Sequence, residues 1–326
     1  YNLYLLILFF LALEPSLLQW HSSFWSESIF LSLMLILFSL LLKKSTRNFI
    51  NILIGIIIGL MFAQRAVSFL YILPVFLYVM LVYEKKIKVF SLILVGYLFI
   101  ILSIGYNNYK KTDSFFFLSY IHQYYSYYHY FAPSLLADKK KISKSQAKKI
   151  LLEEEKIWIK ENQIDINVIN DLNKNIKYRN KIFLREVLNN PSYFIGKVIK
   201  RIIVMCIIHP KWVHNHFSHD RTNPEIKKDP KKYYQKGLLK NVPYSVFIYV
   251  FVIVGVFKFF NKIFIKKKYT EFDKFLLFNI FSILYFVLIS GMWGNPKYFS
   301  PCMISLSLFF SMGFSELKKK YFNKIN

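Results

Sequence analysis

The sequence predicts an all-α, polytopic integral membrane protein with about eight transmembrane helices and an external, helix-containing loop domain. Three observations predict it. Of 326 residues, 55% are hydrophobic and 19% aromatic, and the mean hydropathy is positive at +0.33. The apolar residues collect in runs of roughly 15–20, about the length a helix needs to cross a bilayer. The short connections between the runs alternate between strongly basic and nearly uncharged, as loops on opposite faces of a membrane do.

In chain order, the apolar segments fall at about 2–13, 28–42, 49–64, 67–83, 89–105, 243–260, 275–292 and 299–315. Several are short, which calls for little tilt or for extension into flanking aromatics. One set of connections carries Lys43, Lys44 and Arg47, then Lys85, Lys86 and Lys88, then Lys262 and Lys266 to Lys268, then Lys318 to Lys320. The other set has no basic residue in 14–27, only Arg65 near 63–66, and only Lys297 in 293–298. The positive-inside rule puts the first set in the cytoplasm and the second outside. The expected organisation is an N-terminal membrane bundle over 1–105, an external or interfacial loop domain over 106–242, and C-terminal membrane helices with a basic cytoplasmic tail over 243–326.

The middle stretch faces outward by parity, although it is itself basic, with 26 Lys and Arg against 12 Asp and Glu. Long loops translocate regardless of such charge. Within it, 144–161 reads as a helix with Lys149 and Glu153 paired at i,i+4. A second helix runs from about 166 to 189, with Ile166, Ile169, Leu172 and Ile176 at helical spacing. Residues 198–208, "VIKRIIVMCII", are too short to span and read as an interfacial helix, with Pro191 in its first turn.

The formal net charge of +26 comes without zinc-finger spacing, a glycine-rich phosphate loop or an RNA-binding signature, so a membrane surface accounts for it better than nucleic acid does. Cys206 and Cys302 are the only cysteines, and both lie in apolar runs, which argues against a disulfide framework. Serine-nucleophile and cysteine–histidine motifs are absent. The sequence opens at Tyr1 inside an apolar run, without Met or a charged leader, and so reads as N-terminally truncated.

Individual residues carry two readings each. Glu27 begins the run "SESIFLSLMLILFSLLL"; it is a favourable acid in a helix's first turn, or an acid at the mouth of a membrane site. Glu14 has a similar place in the preceding segment. Arg65 is the one strong cation in an apolar stretch of two segments; it snorkels to headgroups, or it clamps a phosphate through its forked donors. Lys297 and Tyr298 belong to an interfacial belt or touch donor phosphate or sugar. "HPKWVHNHFSHD" gathers His209, His214, His216, His219 and Asp220; the last four are candidate metal ligands, though their spacing matches no standard site. The run 120–131, "YIHQYYSYYHYF", holds six tyrosines, read as an aromatic belt ahead of a sugar-stacking surface.

Taken together, four segments resemble the GT-C superfamily of polyprenyl-phosphate-sugar glycosyltransferases, which includes protein O-mannosyltransferases and lipid A aminoarabinose transferases. "LALEPSLLQWHSSFWSESIFLSLMLILFSLLLKK" is similar to the segment whose serine–glutamate pair leads a membrane helix. "ILIGIIIGLMFAQRAVSFLYILPVFLYVML" resembles the following pair with its arginine, and "FLREVLNNPSYFIGKVIKRI" the external asparagine–proline segment. "GMWGNPKYFSPCMISLSLFFSMGF" resembles the closing element, where lysine replaces the usual arginine before tyrosine.

The resemblance implies transfer of a sugar from a polyprenyl phosphate carrier to a glycan, lipid or protein acceptor at the outer face of a bacterial inner or plasma membrane. It implies that Arg65, Lys297 and Tyr298 bind the donor phosphate and that Glu27 supports catalysis. The main catalytic aspartate would then lie in a first external loop ahead of Tyr1. A divalent metal is the only cofactor it brings into view. Two alternatives remain open: a transporter or flippase for lipid-linked glycans, and an enzyme like the O-antigen ligases and polymerases.

Overall fold

The computed structural model describes residues 26–112, 115, 128, 131–166, 168–207, 230–265, 270–293 and 300–321. Among them the chain is helical, with no strand. It divides into two compact units, one of residues 1–97 with 201–326 and one of residues 98–200. The boundaries differ from the expected 105/106 and 242/243 because helices run unbroken through both joins.

The first unit begins with α1 (Ser26–Leu42), α2 (Asn48–Gln64), a 3-10 turn (Ala66–Tyr71), α3 (Ile72–Val82) and α4 (Lys86–Thr112), which continues into the second unit. It resumes with α9 (Pro230–Phe260), capped by a π-helical turn (Asn261–Ile265), then α10 (Glu271–Trp293) and α11 (Ser300–Tyr321). Among the described residues three helical stretches are long and apolar enough to cross a membrane: Lys86–Lys110, Val246–Ile265 and Glu271–Ile289. Ser28–Leu42, Asn48–Gln64 and Ala66–Val82 are apolar but of only 10–17 residues. About eight spans were expected; the breaks at 43–47, at Arg65 and at Tyr83 cut these runs below full length. Phe99, Ile253, Phe257 and Leu288 are each more than half exposed. Large apolar side chains exposed along long apolar helices suit a lipid-facing surface.

Aromatic contacts set the helix directions. Phe30 meets Phe286 at 6.1 Å and Phe38 meets Phe278 at 5.4 Å, so α1 and α10 run antiparallel. Tyr71 pairs with Ser282 while Tyr78 packs on Phe275, so α3 and α10 are antiparallel too. Glycines let two helix pairs approach closely. A Cβ on Gly55 would collide with the backbone of Ile93 in α4, and one on Gly96 with that of Ile52 in α2. Gly255 of α9 and Gly313 of α11 are matched in the same way, against the carbonyls of Phe309 and Phe251. Small residues serve this purpose where helices must pack backbone to backbone.

The basic ends collect where these directions predict. Lys44, after α1, pairs with Glu271 at the start of α10 at 3.1 Å. Lys262 pairs with Asp273 at 2.7 Å, and Lys258 with Glu316. Lys44, Lys258 and Lys262 therefore share one end of the unit.

The second unit contains the end of α4, then α5 (Ala132–Lys140), α6 (Lys144–Glu161), α7 (Ile169–Asn189) and most of α8 (Pro191–Ile207). Its apolar centre is Tyr128, Ala132, Leu136, Ala147, Leu151 and Ile182. Helix α6 has the expected bounds because Ser143 and Gln146 form a reciprocal capping box. Pro191 opens α8, where a missing N–H costs nothing. Ile195, Ile199 and Ile203 of α8 are each more than half exposed beside Lys197, Lys200 and Arg201, an amphipathic pattern. Lys149 and Glu153 are both exposed; the ion pairs of α6 form instead at the two residues that follow Glu153.

Candidate functional site

Helix α2 stops at Gln64 because Arg65 turns to extended backbone, φ −148° and ψ 118°, while its N–H still donates to the Met61 carbonyl. The 3-10 turn that follows is held from several sides. Ser68 donates from both its N–H, at 3.1 Å, and its hydroxyl, at 2.9 Å, to the Arg65 carbonyl. The Tyr285 hydroxyl donates to the Val67 carbonyl at 2.6 Å and accepts from the Leu70 N–H at 3.1 Å. The Tyr97 hydroxyl donates to the Phe69 carbonyl at 2.6 Å, and the Tyr71 and Ser282 hydroxyls lie 2.8 Å apart. Tyrosines from α4 and α10 thus fix the backbone that presents Arg65.

Arg65 is only 7% exposed, and its guanidinium carbon lies 5.8 Å from the centre of the Phe30 ring. A snorkelling arginine lies along the lipid-facing flank with its tip in water; Arg65 is enclosed by protein. A cation so placed in an apolar bundle is costly, which makes Arg65 a candidate for a site.

Glu27 lies in the first turn of α1, three positions ahead of Phe30, which places its helical position on the Phe30 side of that helix. Its side chain lies outside the described residues, as do Glu14, Lys297, Tyr298, His209, His214, His216, His219 and Asp220. Among the described residues no group of three or more His, Cys, Asp or Glu could hold a metal. Of the tyrosine run, Tyr128 is described. It is neither belt nor exposed platform: it is buried, and its hydroxyl donates to the Leu151 carbonyl at 2.8 Å.

The second unit holds an ionic network that the sequence reading missed. Glu155 is 3% exposed and Arg179 8%. One carboxylate oxygen, Oε1, accepts from Arg179 Nε at 2.7 Å, from Arg179 Nη2 at 2.5 Å and from Asn175 Nδ2 at 3.1 Å. The Arg179 guanidinium also lies 5.3 Å from the Tyr128 ring centre. Next to it Arg185 grips Glu154 bidentately, at 2.6 and 3.0 Å, and donates from Nε to Glu186 at 2.9 Å. The Arg185 hydrogen bonds hold the Glu154 carboxyl below its usual range. Burial, then the Glu154 charge, pushes the Tyr178 hydroxyl up to about 12. Trp158 stacks on Tyr178 at 4.2 Å. The available signal was the run Glu153–Glu155 one helix away from Arg179 and Arg185, in a region otherwise poor in acids.

Comparison with protein-family models, with curated proteins and with solved structures returns no match for this chain.

Proposed function

We propose that this chain is a multi-pass membrane glycosyltransferase that takes a sugar from a polyprenyl phosphate donor and passes it to a glycan, lipid or protein acceptor at the outer face. In this reading the three shorter apolar helices, α11 and the run 2–13 also cross the bilayer, giving about eight spans. The basic ends face the cytoplasm, and the polar stretch 106–242 faces outward. The observation that carries the reading is Arg65: an enclosed cation beside Phe30, at the opposite end of the unit from the lysines, with the helical position of Glu27 one turn away. Such chemistry needs a cation to receive the donor phosphate as it becomes the leaving group, and a forked guanidinium suits two phosphate oxygens. Glu27 orients the acceptor or the cation, and Lys297 with Tyr298 completes the phosphate contact.

The test follows consumption of a labelled polyprenyl phosphate sugar by membranes carrying each variant. Arg65→Ala is expected to lower turnover by about 100-fold or more, the scale of losing one preorganised charge-stabilising group, and Arg65→Lys to restore part of it. Unchanged turnover in both Glu27→Ala and Arg65→Ala removes these residues from the site.

A second reading, a transporter or flippase for lipid-linked glycans, draws on a separate observation. Asn51 is fully buried in α2, and neither its Oδ1 nor its Nδ2 has a hydrogen-bond partner among the described residues. Asn279 Oδ1, Ser305 Oγ and Ser311 Oγ are buried and likewise lack a hydrogen-bond partner among the described residues. Polar groups inside a bundle suit a path for a polar cargo. Proteoliposomes distinguish the two: a carrier moves the lipid-linked glycan without releasing sugar, and Asn51→Leu stops it.

A further inference from the structure

The corner between α5 and α6 is built rigidly. Helix α5 ends in a Schellman motif in which the Ile142 N–H donates to the Ala137 carbonyl at 3.0 Å. The motif places Lys141 in the left-handed region, φ 53° and ψ 38°. Two residues later Ser143 caps α6, accepting from the Gln146 N–H at 3.2 Å, and Lys144 is the first helical residue. Asn190, ahead of α8, donates to Asp138 at 3.3 Å and so ties α8 to the end of α5. One turn into α8, Tyr193 and Lys197 lie four residues apart, with the Lys197 ammonium 4.7 Å from the Tyr193 ring centre.

Between these elements lies an open cavity of about 380 Å3, whose polar lining is Ser134, Asp138, Lys141, Lys144, Tyr193 and Lys197. That volume is at the small end of the range of roughly 300–1,000 Å3 for small-molecule sites. Three ammoniums and one carboxylate leave two positive charges in the lining. The left-handed backbone at Lys141, shared with Lys44 and Gln163, belongs to the helix end, and from there Lys141 lines the cavity.

We propose that this cavity binds a phosphate monoester. The ligand carries close to two negative charges at neutral pH and three acceptor oxygens, which matches the net charge of the lining. Lys141, Lys144 and Lys197 meet the oxygens, and the Ser134 and Tyr193 hydroxyls supply neutral donors. Asp138 repels a second anionic group and accepts from a hydroxyl on the ester's organic part. The monoester is either a soluble sugar or polyol phosphate or the headgroup of a membrane lipid. The site lies wholly within residues 98–200 and uses none of Glu27, Arg65 or Lys297, so it stands or falls apart from the transferase reading.

The experiment uses the full chain in phosphatidylcholine nanodiscs. In one arm glycerol 3-phosphate is titrated by calorimetry. In the other the discs carry phosphatidic acid, or phosphatidylglycerol as the diester control, and lipid retention is measured. Saturable binding of glycerol 3-phosphate identifies a soluble source, and selective retention of phosphatidic acid identifies the lipid. Lys141→Gly is expected to weaken whichever binding is seen by about threefold, and Lys141→Gly with Lys197→Gln by about tenfold, as for partly exposed charge contacts. The melting temperature of Lys141→Gly is expected to stay level or rise, which a purely structural lysine would not allow. Absence of saturable binding in both arms, equal retention of phosphatidylglycerol, or a double variant that binds like the parent overturns the proposal.

Discussion

Removing the Arg179 side chain tests the buried network of the second unit most directly. In Arg179→Met the stem is replaced by apolar atoms of similar bulk, and the fork is lost. Glu155 Oε1 would lose both guanidinium contacts and keep Asn175, at 3.1 Å, and Oε2 has no hydrogen-bond partner among the described residues. A carboxylate that is 3% exposed would then lie buried with neutral donors alone. Breaking such a pair from one side costs about 3–5 kcal/mol, because the remaining charge is uncompensated. Loss of the contact with Tyr128 adds about 0.5–1 kcal/mol. Hydrogen exchange of the full chain in detergent, read over 144–189 by mass spectrometry, measures the opening free energy locally. A loss of about 3 kcal/mol corresponds to exchange about 100-fold faster. Glu155→Met with Arg179→Met removes both charges, and recovery to within about 1 kcal/mol of the parent is expected from burying apolar groups instead. The reasoning is refuted if Arg179→Met changes exchange by less than threefold, or if the double variant is worse than the single.

Four further outcomes follow from the geometry. The Glu154 carboxyl is held low by Arg185, so its folded pKa lies below its unfolded one. The stability it contributes is present above the ordinary carboxylate range and is lost as pH falls through the folded value. Melting of the second unit should therefore decline on acidification below about pH 4.3, and Arg185→Gln should flatten that decline; an unchanged profile counts against the pairing. Gly313→Leu, whose Cβ would overlap the Phe251 carbonyl, should force α9 and α11 apart and lower the melting temperature. Gly196→Ala meets nothing within 4 Å and should instead stabilise α8 by about 0.5–1 kcal/mol. Tyr285→Phe removes the hydroxyl that donates to Val67 and accepts from Leu70; faster amide exchange at 66–71 is expected, and unchanged exchange would show that the turn holds without it.

How much of this was legible in the sequence depends on which physical signal each feature carries. The helices were legible because apolar runs, capping residues and Pro191 act locally: Ser143 with Gln146 fixes the start of α6 whatever surrounds it. The shared basic end was legible as well, since charge alternation is written along the chain, and the pairs of Lys44 with Glu271 and Lys262 with Asp273 close it. Arg65 was found because a lone cation in an apolar run is conspicuous, but its enclosure was not, because that depends on Phe30 arriving from another helix. The Glu155–Arg179 pair escaped for the opposite reason. On α7 the apolar positions mark one face, yet Asn175, Arg179 and Glu186 are buried beside Ile176 and Ile182. Hydropathy assigns such residues to water. Only the partner helix shows that Glu155 makes burial of Arg179 tolerable, and that is a pairwise property that neither segment carries alone. The left-handed Lys141 is a case between these. Its sequence, Lys-Lys-Lys-Ile-Ser, looks like a solvated charge run, and the conformation that holds one lysine in a cavity comes from the Schellman turn and the Ser143 cap acting together. Lys44 and Gln163 share that left-handed backbone, so the conformation by itself belongs to helix ends, and what sets Lys141 apart is the cavity it lines together with α8.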